Sequence, residues 1–217
     1  MKKIIKYLFL LTGGSFILAS CNDFVDREPL DSVTPDNFFF TENDLAAYAV
    51  KHYNFTTHEG FNAGIWKNDN ATDNQAATDY DKKWIPGQWK VPEAYDNPAS
   101  NDPWYFSAIR EANYFLETVV PRFEKGEIEG SETNIKHYIG EMYFLRAKNY
   151  LSKLETFGDF PIIKNTLPDE SESLIQASKR APRYKVAHFI LEDLDQAISL
   201  LTNNISGGKN RITKNAA

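Results

Sequence analysis

The feature that most constrains the fold is the recurrence of apolar residues at every third or fourth position in three long segments. This spacing places the apolar side chains on one face of an α-helix, whereas a strand buried on one face would alternate apolar and polar residues. The segments are 104–119, 135–157 and 186–201, and a shorter one follows Thr41. We therefore predict an all-α chain in which antiparallel helix pairs bury these faces.

Capping residues and helix breakers mark the ends of the predicted helices. Side chains of Ser, Thr and Asp accept hydrogen bonds from the free amides of a first turn, Pro fits that turn, and Gly ends a helix. On this basis the helices begin at Thr41, Asp102-Pro103, Ser131 and Pro182, and two of them end at Pro121 and Gly158. The polar stretch after Ile163, rich in Asp, Glu and Ser, is predicted to be a loop.

The last residues resemble the start of another element. Thr213 is predicted to cap a helix that begins at Lys214, but the sequence stops at Ala217. Because a helix needs about three turns before its nucleation becomes worthwhile, we expect the sequence to be part of a longer protein, incomplete at the C-terminus. Overlaying the predicted helices reveals no repeat of about 34 residues, so the sequence alone does not establish a repeat architecture.

The segment 56–101, between the first two predicted helices, has a different composition. It is rich in Gly, Pro, Asn and Asp, and it contains Trp66, Tyr80, Trp84, Trp89 and Tyr95. A structureless loop of this length is uncommon inside a compact domain unless it has a function. We therefore predict a long, irregular and functional insertion.

The N-terminus has the pattern of a targeting segment. Lys2, Lys3 and Lys6 precede a mostly apolar stretch that is shorter than the roughly 20 residues a membrane span needs. The following run, Leu18-Ala19-Ser20-Cys21, resembles the lipobox of bacterial lipoproteins, and Cys21 is the only cysteine of the chain. This resemblance implies that residues 1–20 are a signal peptide and that Cys21 carries the acyl chains of a membrane anchor. The alternative is an ordinary signal peptide followed by a cysteine with no special role.

Charge and the single cysteine exclude several classes of function. The formal charge is −6, and it becomes more negative by three when Lys2, Lys3 and Lys6 are removed. Nucleic acid and anionic membrane surfaces require basic patches, so neither is predicted as a partner. An acylated Cys21 leaves no thiol for a disulfide or a nucleophile, so the fold must depend on its core.

No cofactor, metal or catalytic site is predicted. The four histidines, His52, His58, His137 and His188, do not form a metal-binding pattern. The run 69–74 offers oxygens suited to calcium but lacks the closing Glu of a calcium loop. Glu192, Asp193 and Asp195 are predicted to form a solvated helix face. A glycosidase would need two carboxylates at a set separation, which a sequence cannot display.

Several blocks of the sequence together resemble the SusD/RagB family of outer-membrane nutrient-binding lipoproteins. The blocks occur in the family's order over almost the whole chain, and the ordered set is far more specific than any one of them. They are the lipobox, Asp26-Arg27-Glu28-Pro29-Leu30-Asp31, Thr34-Pro35-Asp36-Asn37-Phe38-Phe39, 104–113, 140–147, Thr156-Phe157-Gly158-Asp159-Phe160-Pro161, Ala181-Pro182-Arg183 and 190–197.

The resemblance implies a fold of tetratricopeptide-like helix pairs with a loop-rich region that binds glycan. It also implies a location in the outer membrane, anchored through Cys21 and exposed at the cell surface. A SusC-like, TonB-dependent transporter would be the partner that receives the oligosaccharide. Family members are longer than 217 residues. One domain is therefore expected over residues 21–217, as the N-terminal part of such a protein.

Within this framework, the insertion 56–101 is where glycan contacts are predicted. Sugar rings stack their C–H faces on aromatic rings, and their hydroxyls need fixed amide and carboxylate partners. Trp84 and Trp89 are the leading stacking platforms and Tyr80 is the third, with Asp73, Asn74 and Gln75 as hydroxyl partners.

The alternative for each aromatic residue is that it holds the long loop against the helices. Trp66 beside Ile65 fits that role better than a binding role, and Trp104 is expected in the core because it lies on a predicted helical stripe. At the level of function, the alternatives are a helical scaffold or transporter-docking module without its own ligand, and, less well supported, a glycoside hydrolase.

Overall fold

The computed structural model describes residues 38–55, 85–88, 90–91, 103–205 and 210–217. Its elements are α1 (Glu42–Lys51), α2 (Ser107–Lys125), α3 (Glu132–Phe157), α4 (Ser171–Ala177), α5 (Arg183–Leu200) and a 3-10 turn (Lys214–Ala216). The described ranges contain no strand, and two isolated bridges join Thr41 to Glu129 and Phe160 to Ala181. The all-α prediction is confirmed.

Helix α3 organises the packing, because α1, α2 and α5 all pack against it. Its first half contributes Ile135, Ile139, Met142 and other residues to one apolar cluster, shared with α1, α2 and the residues after α5. Its second half contributes Ala147, Tyr150 and Phe157 to another cluster, shared mainly with α5 and Phe160. The apolar face that the sequence predicts for this helix is therefore divided between two apolar clusters.

The predicted boundaries of three helices are confirmed. Thr41 precedes α1, where its hydroxyl accepts the amide of Asp44 while the Asp44 carboxylate accepts the amide of Thr41. Ser131 and Gly158 flank α3, and Pro182 precedes α5. Gly158 has a φ of 72°, a conformation that other residues rarely adopt. These boundaries depend on local chemistry, which explains why the sequence reveals them.

The prediction for α2 is wrong at both ends. The helix begins at Ser107 and not at Asp102-Pro103. Just before the helix, the ring of Phe106 stacks on the ring of Phe160, with their centres 5.1 Å apart, and this contact holds the preceding residues outside the helix. Pro121 lies inside the helix, which continues to Lys125. Proline removes one helical hydrogen bond. The last turn is held by long-range contacts, including Arg122 Nη1 donating to the Phe38 carbonyl at 2.7 Å.

Two smaller elements also differ from prediction. The stretch predicted to be a polar loop contains the short helix α4, none of whose side chains is buried. After Thr213 there is a single 3-10 turn rather than an α-helix.

Candidate functional site

The glycan and lipid sites predicted from the sequence lie outside the described residues. This applies to Cys21, to the platforms Trp84, Trp89 and Tyr80, to the partners Asp73, Asn74 and Gln75, and to the run 69–74. These assignments stay predictions.

Two residues that flank the insertion 56–101 are held by lysines of α3. Lys148 Nζ donates to the carbonyl of Asn54 and lies 4.9 Å from the ring centre of Phe55. Lys153 Nζ donates to the carbonyl of Pro103. The two lysines are five positions apart, which corresponds to about 7.5 Å along a helix. The two residues that flank the insertion are thus both attached to the second half of α3.

Trp104 belongs to the packed part of the molecule, as predicted, but not to a helix. It is partly buried against the second cluster, and its ring centre lies 4.1 Å from that of Phe157. The guanidinium of Arg180 lies 4.9 Å from the same ring. Trp104 sits in the turn before α2, so its predicted place on a helical stripe is wrong.

An open cavity of about 380 Å³ lies next to Trp104. Its apolar lining comes from the turn before α2, from α2, from the extended stretch after α3 and from α4, and includes Trp104, Phe106, Ile109, Pro161, Ile163 and Leu174. Its polar lining is limited to Arg110, Asn113, Asn165 and Ser178. No pattern in the sequence predicts this cavity, because α4, which contributes to its wall, was not predicted.

Behind the cavity, a buried network joins α2, α3 and α5. Arg146 donates from Nε and Nη2 to the two carboxylate oxygens of Asp193, each at 2.8 Å, and from Nη1 to Asn113 Oδ1 at 2.9 Å. Asn113 Nδ2 donates to the carbonyls of Ile163 at 2.8 Å and of Asn165 at 3.3 Å. The side chain of Asn113 is therefore fully occupied and fixes the stretch after α3.

The prediction that Asp193 lies on a solvated face is wrong. Its neighbours Glu192 and Asp195 are exposed, but Asp193 is only 3% exposed. A signal was present in the sequence. Asp193 continues the apolar spacing of Val186, Ile190 and Ala197, and an acidic residue at such a position indicates a buried cationic partner.

A second buried network surrounds Glu141 of α3. Its Oε1 accepts hydrogen bonds from Tyr53 at 2.7 Å, from Arg211 Nε at 2.8 Å and from His137 Nε2 at 3.1 Å, and its Oε2 accepts Arg211 Nη2. Because His137 Nδ1 accepts the amide of Thr202 at 3.1 Å, its ring proton lies on Nε2, facing Glu141. This network ties the segment 210–217 to α1 and α3.

The two buried carboxyls respond differently to their surroundings. Burial raises the pKa of Glu141, but hydrogen bonds from His137, Arg211 and Tyr53 outweigh burial, so the pKa lies below its ordinary value. Burial also raises the pKa of Asp193, and the hydrogen bonds from Arg146 do not fully offset it, so that pKa lies above its ordinary value. Both networks have the character of structural ties, since each carboxylate is buried and paired with an arginine.

Two further findings concern the described ranges. They contain no group of three or more His, Cys, Asp or Glu side chains that could hold a metal ion. Among the helices described, none combines the length and the apolar character that a membrane span requires.

Comparison with known proteins identifies the family. The sequence model of a SusD-like family, described as "Starch-binding associating with outer membrane", matches residues 23–217. SusD-like protein P38 of Formosa agariphila is 27% identical over 203 residues, which are 91% of this chain and 37% of that protein. The chain therefore spans little more than a third of the length of this curated relative.

Two solved structures share the fold. A SusD-like protein of Bacteroides fragilis aligns with a TM-score of 0.55 and 26% identity, over 88% of this chain and 36% of that one. A SusD-like carbohydrate binding protein of the same species aligns with a TM-score of 0.57 and 17% identity, over 82% and 36%. The fold is all-α, with the tetratricopeptide-like helix pairs of these structures. The resemblance found in the sequence blocks is thus confirmed, and the chain belongs to the SusD-like family of outer-membrane-associated proteins.

Proposed function

We propose that this chain is a noncatalytic cell-surface lipoprotein that captures oligosaccharide and delivers it to a SusC-like, TonB-dependent outer-membrane transporter. The observation that carries the proposal is the match of residues 23–217 to a family described as starch-binding and outer-membrane-associated. The acidic formal charge of −6 is compatible with a neutral glycan and unsuited to nucleic acid.

Anchoring through Cys21 is part of the proposal. The family match begins two positions after Cys21 and leaves residues 1–22 unmatched, which is compatible with a removable signal peptide over residues 1–20 and an acylated cysteine after it. Replacing the thiol in Cys21→Ser removes the acylation point, and more than one acyl chain is needed for stable anchoring. We expect this variant to move from the membrane fraction to the soluble fraction of the native cell. Retention of Cys21→Ser in the membrane fraction would contradict the anchor.

Glycan binding is assigned to the insertion 56–101. The attachment of the flanking residues Asn54 and Pro103 to Lys148 and Lys153 supports this assignment, because fixed flanks lower the entropic cost of binding a ligand. The proposed contacts are stacking on Trp84, Trp89 and Tyr80, with hydroxyls bonded to Asp73, Asn74 and Gln75. A ligand that must be passed on should bind with modest affinity, and a micromolar constant corresponds to about −8 kcal/mol.

The test is isothermal titration of the full-length protein, with whatever sequence follows residue 217 in the native gene, against a panel of polysaccharides. At least one glycan should bind without release of new reducing ends. Trp84→Ala and Trp89→Ala should each weaken binding by about twofold to tenfold, because a stacked aromatic contributes on the order of 0.5–1.5 kcal/mol.

The matched control for Tyr80→Ala is Tyr184→Ala, which removes an exposed tyrosine of α5 that is 59% exposed and lies outside the insertion. Only the Tyr80 variant should lose affinity. Absence of binding to every glycan would favour the scaffold or docking alternative, and release of new reducing ends would favour a hydrolase.

A further inference from the structure

The cavity beside Trp104 differs chemically from a sugar site. Its volume of about 380 Å³ is within the range of small-molecule sites, but most of its lining is carbon. Among its polar side chains, Asn113 already bonds Ile163, Asn165 and Arg146, and Ser178 Oγ donates to the Ile175 carbonyl at 2.7 Å, which leaves Asn165 and Arg110 to meet a ligand. A sugar bound here would leave most of its hydroxyls without partners, which is costly in an apolar site.

Arg110 is the only charged side chain among the described residues that line the cavity. None of the described residues that line it carries a carboxylate, although the whole chain has 30 acidic residues against 24 basic ones. Arg110 contributes to the lining, and the Arg180 guanidinium stacks 4.9 Å from the ring centre of Trp104, which also lines the cavity. Within the described ranges, neither arginine lies within ion-pair distance of a carboxylate.

The walls of the cavity are fixed. Phe106 is held by its stack on buried Phe160, and the stretch after α3 is held by Tyr150, whose hydroxyl accepts the Ile163 amide at 2.8 Å. Behind it, Asn113 is tied to Arg146 and thereby to Asp193. A preformed apolar wall gives up little entropy when it accepts a ligand.

We propose that this cavity binds a small organic anion with an apolar body. Aliphatic or aromatic carbon would fill the space between Phe106, Ile163 and Leu174, and the carboxylate would lie near Arg110 and Arg180. Guanidinium groups form strong charge-assisted hydrogen bonds with carboxylates, which would select an acid over a neutral molecule of the same shape. This proposal does not depend on the proposed glycan function.

The test is titration of the full chain with decanoate and with decanol, both below the concentration at which they self-associate. Decanoate should bind at one site and at least about tenfold more tightly than decanol, the expected effect of a charged hydrogen bond. Arg110→Gln and Arg180→Gln should each weaken decanoate binding by several-fold and leave decanol unchanged. The control Arg183→Gln removes an exposed guanidinium that does not line the cavity, and it should have no effect.

Position in the cavity is tested by Ala177→Trp, which places a large side chain in the wall and should abolish decanoate binding. If the Ala177→Trp variant loses its helical circular dichroism, Arg110→Glu is used instead. It reverses the charge of an exposed side chain in the lining and should also abolish decanoate binding. Equal binding of decanoate and decanol, or full affinity in the folded Ala177→Trp or Arg110→Glu variant, would overturn the proposal. Trp84→Ala, which tests the glycan proposal, should leave decanoate binding unchanged. The two proposals can therefore fail independently.

Discussion

The two buried networks of α3 differ in what they join and in how well they compensate a buried charge. Arg146, near the middle of the helix, joins α2 and α5, which are already packed on α3 through apolar side chains. Glu141, five positions earlier, joins α3 to Tyr53 and to Arg211 in the short C-terminal segment. Around Glu141, donors come from three different residues, whereas among the described residues Arg146 is the only side chain that donates to Asp193.

This difference explains the opposite directions of the two pKa values. A buried carboxylate loses the hydration that stabilises its charge, and hydrogen bonds to the charged form must replace it. The hydrogen-bond donors around Glu141 more than replace the lost hydration, whereas the donors at Asp193 do not. The Glu141 network therefore holds a peripheral segment in place, and the Arg146 network fixes the relative register of helices that apolar packing already joins.

The largest effect should come from Arg146→Ala. This change leaves Asp193 buried without its cation, and loss of one partner of a buried pair costs about 3–5 kcal/mol. The free energy of unfolding, measured by urea titration, should fall by this amount. Lys136→Ala, which breaks an exposed pair with Glu132, is the control and should change stability very little. A small loss in Arg146→Ala would mean that the register is fixed by packing alone.

The next effect should come from Glu141→Gln, which keeps the shape of the side chain but removes its charge. We expect a loss of about 2–3 kcal/mol, because hydrogen bonds to charged groups are worth more than neutral ones. Hydrogen exchange should show where the loss falls: the amide of Ile212, which donates to the Tyr53 hydroxyl at 3.0 Å, should exchange faster. In Asp193→Asn, exchange at Ile212 should stay slow. Equal acceleration in both variants would show that the two networks form one cooperative unit.

The pH dependence of stability should separate the two carboxyls. Glu141 has a lower pKa in the folded chain than in the unfolded one, so its stabilisation is complete above the ordinary Glu value of 4.5 and is lost as the pH falls through the lowered value. Glu141→Gln should therefore make the acid decline of stability shallower. Asp193 has a raised pKa, so its protonation favours the folded chain at low pH, and Asp193→Asn should make the decline steeper. Urea titrations between about pH 3 and pH 6 check both directions.

The smallest effect should come from a local contact that involves neither network. Thr41→Ala removes the hydroxyl that accepts the Asp44 amide at 3.3 Å, and loss of such a cap costs about 1 kcal/mol. Ser131→Ala is the matched variant, because Ser131 caps α3 by position but makes no side-chain capping hydrogen bond. It should cost clearly less than Thr41→Ala in the same urea titration. A larger loss in Ser131→Ala would reverse the assigned roles of the two caps.

The predictable part of the fold is that which depends on neighbours in sequence. The capping box at Thr41 and the end of α3 at Gly158 are local, and the ordered family blocks identify the fold over nearly the whole chain. The predicted start of α2 failed because Phe106 stacks on Phe160, which is far away in sequence. Its predicted end failed because Arg122 reaches the Phe38 carbonyl and stabilises a turn that proline would otherwise interrupt.

By itself, the sequence determined the helical class, most helix boundaries and the family, because periodicity, caps and ordered motifs are properties of nearby residues. Only the tertiary structure decided which charged residues are buried, and it pairs Arg146 with Asp193 and Glu141 with Arg211 across 47 and 70 positions of the chain. It also formed the cavity at Trp104, whose walls come from distant segments. The physical reason is that burial of a charge or of a cavity wall depends on what packs against it, and that is set by the whole fold.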